Sequence, residues 1–266
     1  MRVGVVPSRA GGRMKVTFLG TGTSVGVPVV GCRCPVCASH DPRNHRLRQS
    51  IWIRQGDLSV LIDAAVDFRQ QALRAGIQRL DAILLTHPHA DHILGLDDTR
   101  PYAYWQKGFL PVYGSRTTLE GVRRTFWYAF EPVPKGGGVP RLDLRLLEGP
   151  VCLPGLTVTP VEADHGSMPV TGYRMDGFAY LTDCKRIPRE TVEALSGVDT
   201  LVINALRRHP GHPTHMTVAE ALRAAEEIGP RRTYLIHMGH ELEHEELAAS
   251  LPKGAEPAFD GLELDL

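Results

Sequence analysis

Apolar residues along the chain fall into short runs broken by turn residues, and the spacing within the runs switches between strand and helix periods. Residues 15–19 read as a strand, and the runs 50–54 and 58–65, separated by Gln55-Gly56-Asp57, predict a hairpin. Helical spacing over 67–75 stops at Gly76. Residues 81–86 read as a buried strand that runs directly into His87. Further strands are predicted at 156–161, 172–175, 178–182, 200–204 and 233–236, and helices at 188–195, 218–228 and 241–251. Residues 101–140 are aromatic-rich at first, punctuated by proline, and close in Lys135-Gly136-Gly137-Gly138. They predict a helical excursion with a glycine tip. Strands alternating with helices after an early hairpin indicate a mixed α/β architecture. Residues 1–13 read as an extension and 14–266 as a single domain.

Composition narrows the class. A chain of 266 residues that is 42% hydrophobic can bury one substantial core, and nothing demands a second. The formal net charge is zero, so the basic excess of a typical nucleic-acid binder is missing at whole-chain level. No apolar stretch approaches the roughly 20 residues of a membrane span. The Gly- and Arg-rich start lacks the apolar segment of a secretory signal, so a soluble cytoplasmic protein is expected. An odd count of five cysteines argues against a disulfide framework. Three of them, Cys32, Cys34 and Cys37, crowd one loop, a spacing that suits a single soft metal. Cys152 and Cys184 are expected to be buried and inert.

The strongest chemical signal is Thr86-His87-Pro88-His89-Ala90-Asp91-His92, three imidazoles and a carboxylate directly after a buried strand. These are ligands for borderline divalent ions such as Zn²⁺ or Mn²⁺. His165, Asp183 and His237 each end a predicted strand in the same way, and functional groups of open α/β sheets gather beyond strand ends. Asp183 competes with Cys184, since neighbours on a strand face opposite sides; the carboxylate is preferred because it can bridge two cations.

The motif His-x-His-x-Asp-His, followed in order by His165, Asp183 and His237, resembles the metallo-β-lactamase superfamily over essentially residues 14–266. That resemblance implies an αββα sandwich of two mixed sheets flanked by helices. It also implies His87, His89 and His165 on one metal, Asp91, His92 and His237 on a second, and Asp183 between them. The loop from Gly20 to Pro28, followed by Gly31 and the cysteine cluster, is similar to the PhnP-like phosphodiesterases of phosphonate degradation. In that family three cysteines and a histidine hold a structural zinc, and the matching histidine here is His240. Three thiolates and one imidazole form a closed tetrahedral set, as a structural site requires. The resemblance also suggests a homodimer.

Two divalent ions sharing a water would bring its pKa toward neutrality, creating a bridging hydroxide that attacks phosphorus, with Asp91 orienting it. A leaving alkoxide still needs a proton. His209, His212 and His215 lie on one Pro/Gly-rich loop; His215 is favoured because Thr217 is a fitting N-cap for the next helix. In the PhnP-like pattern a histidine at this place serves as general acid and phosphate contact. The flanking sequence departs from the family's, which leaves His209 and His212 as rivals. Tyr102, Tyr104, Trp105, Phe126, Trp127 and Tyr128 read mostly as core or dimer contacts, with substrate stacking the alternative. The expected function is hydrolysis of a small cyclic phosphodiester, phosphoribosyl cyclic phosphate or cyclic nucleotide-like. A tRNA 3′-end endonuclease and a metal-stabilised binding protein with vestigial catalysis are the alternatives; neutral charge and the cysteine cluster weigh against the first, the complete ligand set against the second.

Overall fold

The computed structural model describes residues 12–132 and 138–266, so the extension up to residue 11 and the glycine tip at 135–137 lie outside the described residues. In chain order the first half contains β1 (Met14–Gly20), β2 (Ser50–Gln55), β3 (Leu58–Ile62), α1 (Phe68–Ala75), β4 (Ala82–Leu84), α2 (Ala90–Ile93), α3 (Arg100–Trp105), β5 (Leu110–Gly114), α4 (Arg116–Thr125) and β6 (Leu142–Leu146). The second half contains β7 (Val151–Leu153), β8 (Leu156–His165), β9 (Met168–Met175), β10 (Phe178–Leu181), α5 (Arg189–Leu195), β11 (Thr200–Asn204), α6 (Val218–Ile228), β12 (Arg232–Ile236), α7 (His244–Ser250), β13 (Ala255–Pro257) and β14 (Glu263–Asp265).

These strands form two seven-stranded mixed sheets, ordered β14-β1-β2-β3-β4-β5-β6 and β13-β12-β11-β10-β9-β8-β7. Strand alternation assigns each side chain to a layer. Ile51, Ile53, Val60, Ile62 and Leu84 point between the sheets and meet Tyr173, Met175, Tyr180, Val202 and Ile236. Trp52, Leu61 and Ile83, one residue out of phase, face the opposite side and pack under α1, α3 and α4 with Phe68, Tyr102 and Val122. Leu201, Ile203 and Leu235 do the same on the second sheet beneath Leu195, Ala221, Ala225 and Leu247 of α5, α6 and α7. The result is the expected four-layer αββα sandwich. Burial on both faces explains why β3, β4 and β11 read as unbroken apolar runs.

The structure departs from the sequence reading in several places. Residues 101–140 are not purely helical: β5 lies inside them and joins β4 to β6 in parallel register. Its Leu110 and Val112 alternate with half-buried Pro111 and Tyr113, a strand signal masked by the surrounding aromatics. Strand β8 runs on to His165, and β6, β7, β13 and β14 are short strands, too brief for periodicity to mark. Cys152 is exposed on β7 at the sheet edge, whereas Cys184 is buried as expected. Of the aromatics, Tyr102 and Phe126 are core, while Tyr104, Trp105 and Trp127 are exposed. No helix among the described residues is long and apolar enough to cross a membrane.

Candidate metal centres

Strands β4, β8, β10 and β12 all end in or just before an imidazole or carboxylate, and these ends converge. His87 lies just beyond β4, His89 is the extended N-cap of α2, and Asp91 and His92 occupy that helix's first turn. His87 Nε2 is 3.0 Å from His89 Nδ1 and 3.7 Å from Asp183 Oδ2. His92 Nε2 is 3.3 Å from Asp91 Oδ2 and 3.5 Å from Asp183 Oδ2. His237 Nδ1 is 3.0 Å from Asp183 Oδ1. Donor atoms of His87, His89 and His165 lie within 4.8 Å of one another, as do those of His87, His92 and Asp183. The two oxygens of Asp183 thus face different imidazoles. His87, His89 and His165 could hold one ion, Asp91, His92 and His237 a second, with Asp183 between.

Two observations show that the donors fit such ions. His92 Nε2 and His237 Nδ1 are buried without a hydrogen-bond partner, although carboxylate oxygens stand close by. Buried nitrogens that stand close to carboxylate oxygens without a hydrogen bond between them suit a cation shared by both. Tautomers are fixed from behind. Asp63 accepts hydrogen bonds from Thr86 N at 2.8 Å and Thr86 Oγ1 at 2.9 Å, and it meets His92 Nδ1 at 2.7 Å. Because the Thr86 hydroxyl donates to Asp63, it accepts from His87 Nδ1 at 3.0 Å. His165 Nδ1 donates to Thr214 O at 2.9 Å. With these three Nδ1 atoms engaged, the Nε2 atoms of His87, His92 and His165 are left for the centre, an arrangement typical of metal-ligating histidines.

Electrostatics point the same way. Burial alone would raise the Asp183 carboxyl, but the charges of His237 and His92 and the hydrogen bond from His215 hold it well below the usual carboxylate range. Burial would lower His92, yet Asp183 and Asp63 outweigh it and raise the imidazole well above its ordinary value. His87 is pushed well below, by burial and by the neighbouring charge of His92. Asp183 and Asp63 thus favour positive charge at His92, while His87 is held in its neutral form. Asp63, Asp183 and His237 all have positive φ, 61°, 53° and 55°, a region that costs a non-glycine residue about 1–3 kcal/mol and persists where surroundings fix it.

Of the three loop histidines, only His215 meets the convergent donors. Its Nε2 is 3.3 Å from Asp183 Oδ2, and its ring stacks on His237 at 4.8 Å between centroids. His212 sits behind it, Nδ1 to Nδ1 at 3.1 Å, and His209 is exposed. The loop is anchored by a capping box at the start of α6: Thr217 Oγ1 accepts from Glu220 N, and Glu220 Oε2 accepts from Thr217 N. Donor atoms of His165, Asp183 and His215 also lie within 4.8 Å of one another, so His215 stands within ligating range as well. Cys184 turns away, its Sγ 3.0 Å from Asn204 Oδ1.

A second donor set lies nearby in the chain. His240 Nδ1 is 3.3, 3.6 and 3.5 Å from the sulfurs of Cys32, Cys34 and Cys37. A regular tetrahedron with ordinary zinc–sulfur and zinc–nitrogen bonds has an S···N edge of about 3.6 Å. Amides of Cys34, Cys37 and Val29 donate to the sulfurs of Cys32, Cys34 and Cys37 respectively. Such bonds favour thiolate: the Cys37 amide leads in bringing Cys34 down to about 7, while burial pushes Cys37 up to about 11. These four residues could hold one zinc with no position left open.

The sequence model of the beta-lactamase superfamily domain matches residues 59–238, which spans β3 to the turn after β12 and contains every donor of the first centre. The chain belongs to the beta-lactamase superfamily. Among superfamily relatives, a protein named octanoyltransferase from Porphyromonas gingivalis is 41% identical over 254 residues, covering 94% of this chain but 51% of that protein. The chain thus spans about half that relative's length. A solved diphosphatase of the PhnP family is 41% identical, with a TM-score of 0.90 over 96% of this chain and 98% of the other. The short form of human tRNase Z, at 19% identity and a TM-score of 0.67 over 94% and 98%, shares the fold. Superfamily membership, the diphosphatase relative and the donor set make the chain a metal-dependent hydrolase.

Sequence reasoning missed two residues of this superfamily site. Asp63 follows the buried run of β3 just as Asp183 follows β10, so the strand-end rule used for the other donors could have found it. Gln49, fully buried, accepts from His237 N through Oε1 and donates to Tyr180 Oη through Nε2. Nothing in its local sequence marks it.

Proposed function

We propose that this hydrolase is a di-metal phosphodiesterase that cleaves a small cyclic phosphodiester, a phosphoribosyl cyclic phosphate or a cyclic-nucleotide-like ester. The observation that carries the reading is the placement of Asp183, with one carboxylate oxygen toward His237 and the other toward His87, His92 and His215. The chemistry that a pair of divalent ions supplies when bound is Lewis acidity toward water and phosphoryl oxygens. His87, His89 and His165 would hold one ion, Asp91, His92 and His237 the other, and Asp183 both. Zn²⁺ and Mn²⁺ both accept these ligands. Asp91 orients the attacking water. His215 donates a proton from Nε2 to the departing oxygen; its ring is kept in place by stacking on His237 and by the capping box behind it. Cys32, Cys34, Cys37 and His240 would hold a structural zinc that stiffens the turn after β12.

A second reading, cleavage of a diphosphate, is favoured by the 41% identical relative described as a diphosphatase. Both readings break a P–O bond and use the same residues; they differ in the leaving group. Bis-p-nitrophenyl phosphate, a 2′,3′-cyclic nucleotide and a nucleoside diphosphate, each offered to enzyme loaded with Zn²⁺ or Mn²⁺, separate them. Turnover of the diesters alone supports the first reading, turnover of the diphosphate alone the second. A metal-replete enzyme inert toward all of them overturns both.

A further inference from the structure

Arg46 heads the fully buried side chains by size, with 1% of its surface exposed, and it belongs to neither donor set. Its Nη1 donates to Gly239 O at 3.0 Å; its Nη2 donates to Leu242 O at 2.7 Å and to Asn44 Oδ1 at 3.3 Å. Its Nε has no partner, and the guanidinium makes no ion pair among the described residues. The two carbonyls bracket His240, and the same turn begins at His237. On the other side, the main chain of Arg46 pairs with Val27 in both directions, 2.7 and 2.8 Å, and Val27 packs against Val36 and Cys37. Approach here is close enough to require glycine at position 22, where a Cβ would stand 2.7 Å from Arg46 O.

Burial pulls the guanidinium down to about 10, and the charges of Asp260, Glu243 and Asp41 act against that shift without forming an ion pair. The planar fork of arginine also suits a two-carbonyl grip that lysine cannot reproduce.

We propose that Arg46 is a positioning residue for the Cys/His cluster, its two-carbonyl grip fixing the turn that aims His240 at the three sulfurs. The inference rests on the zinc reading of that cluster. Arg46→Gln removes charge and fork; Arg46→Lys keeps the charge and at most one of the two carbonyl bonds. Zinc retention is read by competition with a chromophoric chelator, and ligand geometry by the thiolate-to-cobalt charge-transfer band of cobalt-substituted protein. Arg46→Gln should hold the cluster's zinc about 10- to 100-fold more weakly, with Arg46→Lys intermediate and the band weakened in both. Zinc affinity within about twofold of the parent and an unchanged band, even with lower thermal stability, overturn the proposal and leave Arg46 a packing residue. If Arg46→Gln does not fold, Arg46→Lys decides by the same criteria. A parent protein that gives no thiolate-to-cobalt band removes the zinc reading itself, and the role of Arg46 with it.

Discussion

The strand-end pocket and the Cys/His cluster lie at the two ends of one turn, His237 at its start and His240 three residues on, yet they are assembled in opposite ways. The pocket draws its donors from the ends of β4, β8, β10 and β12 and from the first turn of α2, and two of them, Asp183 and His237, adopt positive φ. The cluster takes three of its four donors from one short loop, with backbone amides already turned toward the sulfurs. The pocket's nitrogens and oxygens are of the kind that borderline cations accept and border His215, whereas three sulfurs and one nitrogen of the cluster are spaced as the corners of a tetrahedron. Backbone strain is found among the donors of the first set, and a closed tetrahedral arrangement among those of the second.

The sharpest way to break this contrast is Asp183→Asn. It should lower phosphodiester turnover on the order of a thousand-fold, since a bridging carboxylate is worth several kcal/mol of charge stabilisation, while circular dichroism stays native. Retained activity would leave the two imidazole sets without a common bridge. His215→Ala comes next, with turnover down about 100-fold and pocket metal content unchanged by elemental analysis. Loss of a metal ion along with activity would move His215 from acid to ligand, as its proximity to His165 and Asp183 allows. Cys32→Ser tests the other end. It should remove one zinc per chain and lower the melting temperature by about 10 °C, with turnover changed by less than about tenfold. Equal zinc content and an unmoved melting curve would sink the bracing role.

A last test concerns the scaffold the two sites share. Asp260 accepts from Leu47 N and Thr21 Oγ1, and Thr21 O in turn accepts from Met238 N inside the common turn. Burial raises its pKa to about 6, against an unfolded value near 3.9. The folded state therefore favours the protonated form, so this contribution to stability is full below about pH 4 and is lost as pH rises toward about 6, amounting to roughly 3 kcal/mol. Asp260→Asn should gain on the parent in denaturant midpoint as pH rises from about 4 to about 6. Parallel pH profiles for the two proteins would show that folding does not raise the Asp260 carboxyl.

Much of this was legible in the chain. Helix α6 was bounded correctly because Thr217 and Gly229 are strong local signals, a capping box and a left-handed C-cap. The hairpin β2–β3 followed from Gln55-Gly56-Asp57, and the donors stood out because imidazoles and carboxylates rarely follow buried strands by chance. Strand β5 was hidden by its aromatic surroundings. Exposed Cys152 was misjudged because β7 lies at a sheet edge, which only pairing order reveals.

The sequence by itself determined which elements form and which residue types stand at their ends, because periodicity, caps and turns act over a few residues. Tertiary structure decided which of those ends meet, which of three loop histidines faces Asp183, and that Asp63, Gln49 and Arg46 stand behind the donors. Those choices depend on contacts between segments far apart in the chain, and the geometry of such contacts is fixed only when two sheets and four layers pack together.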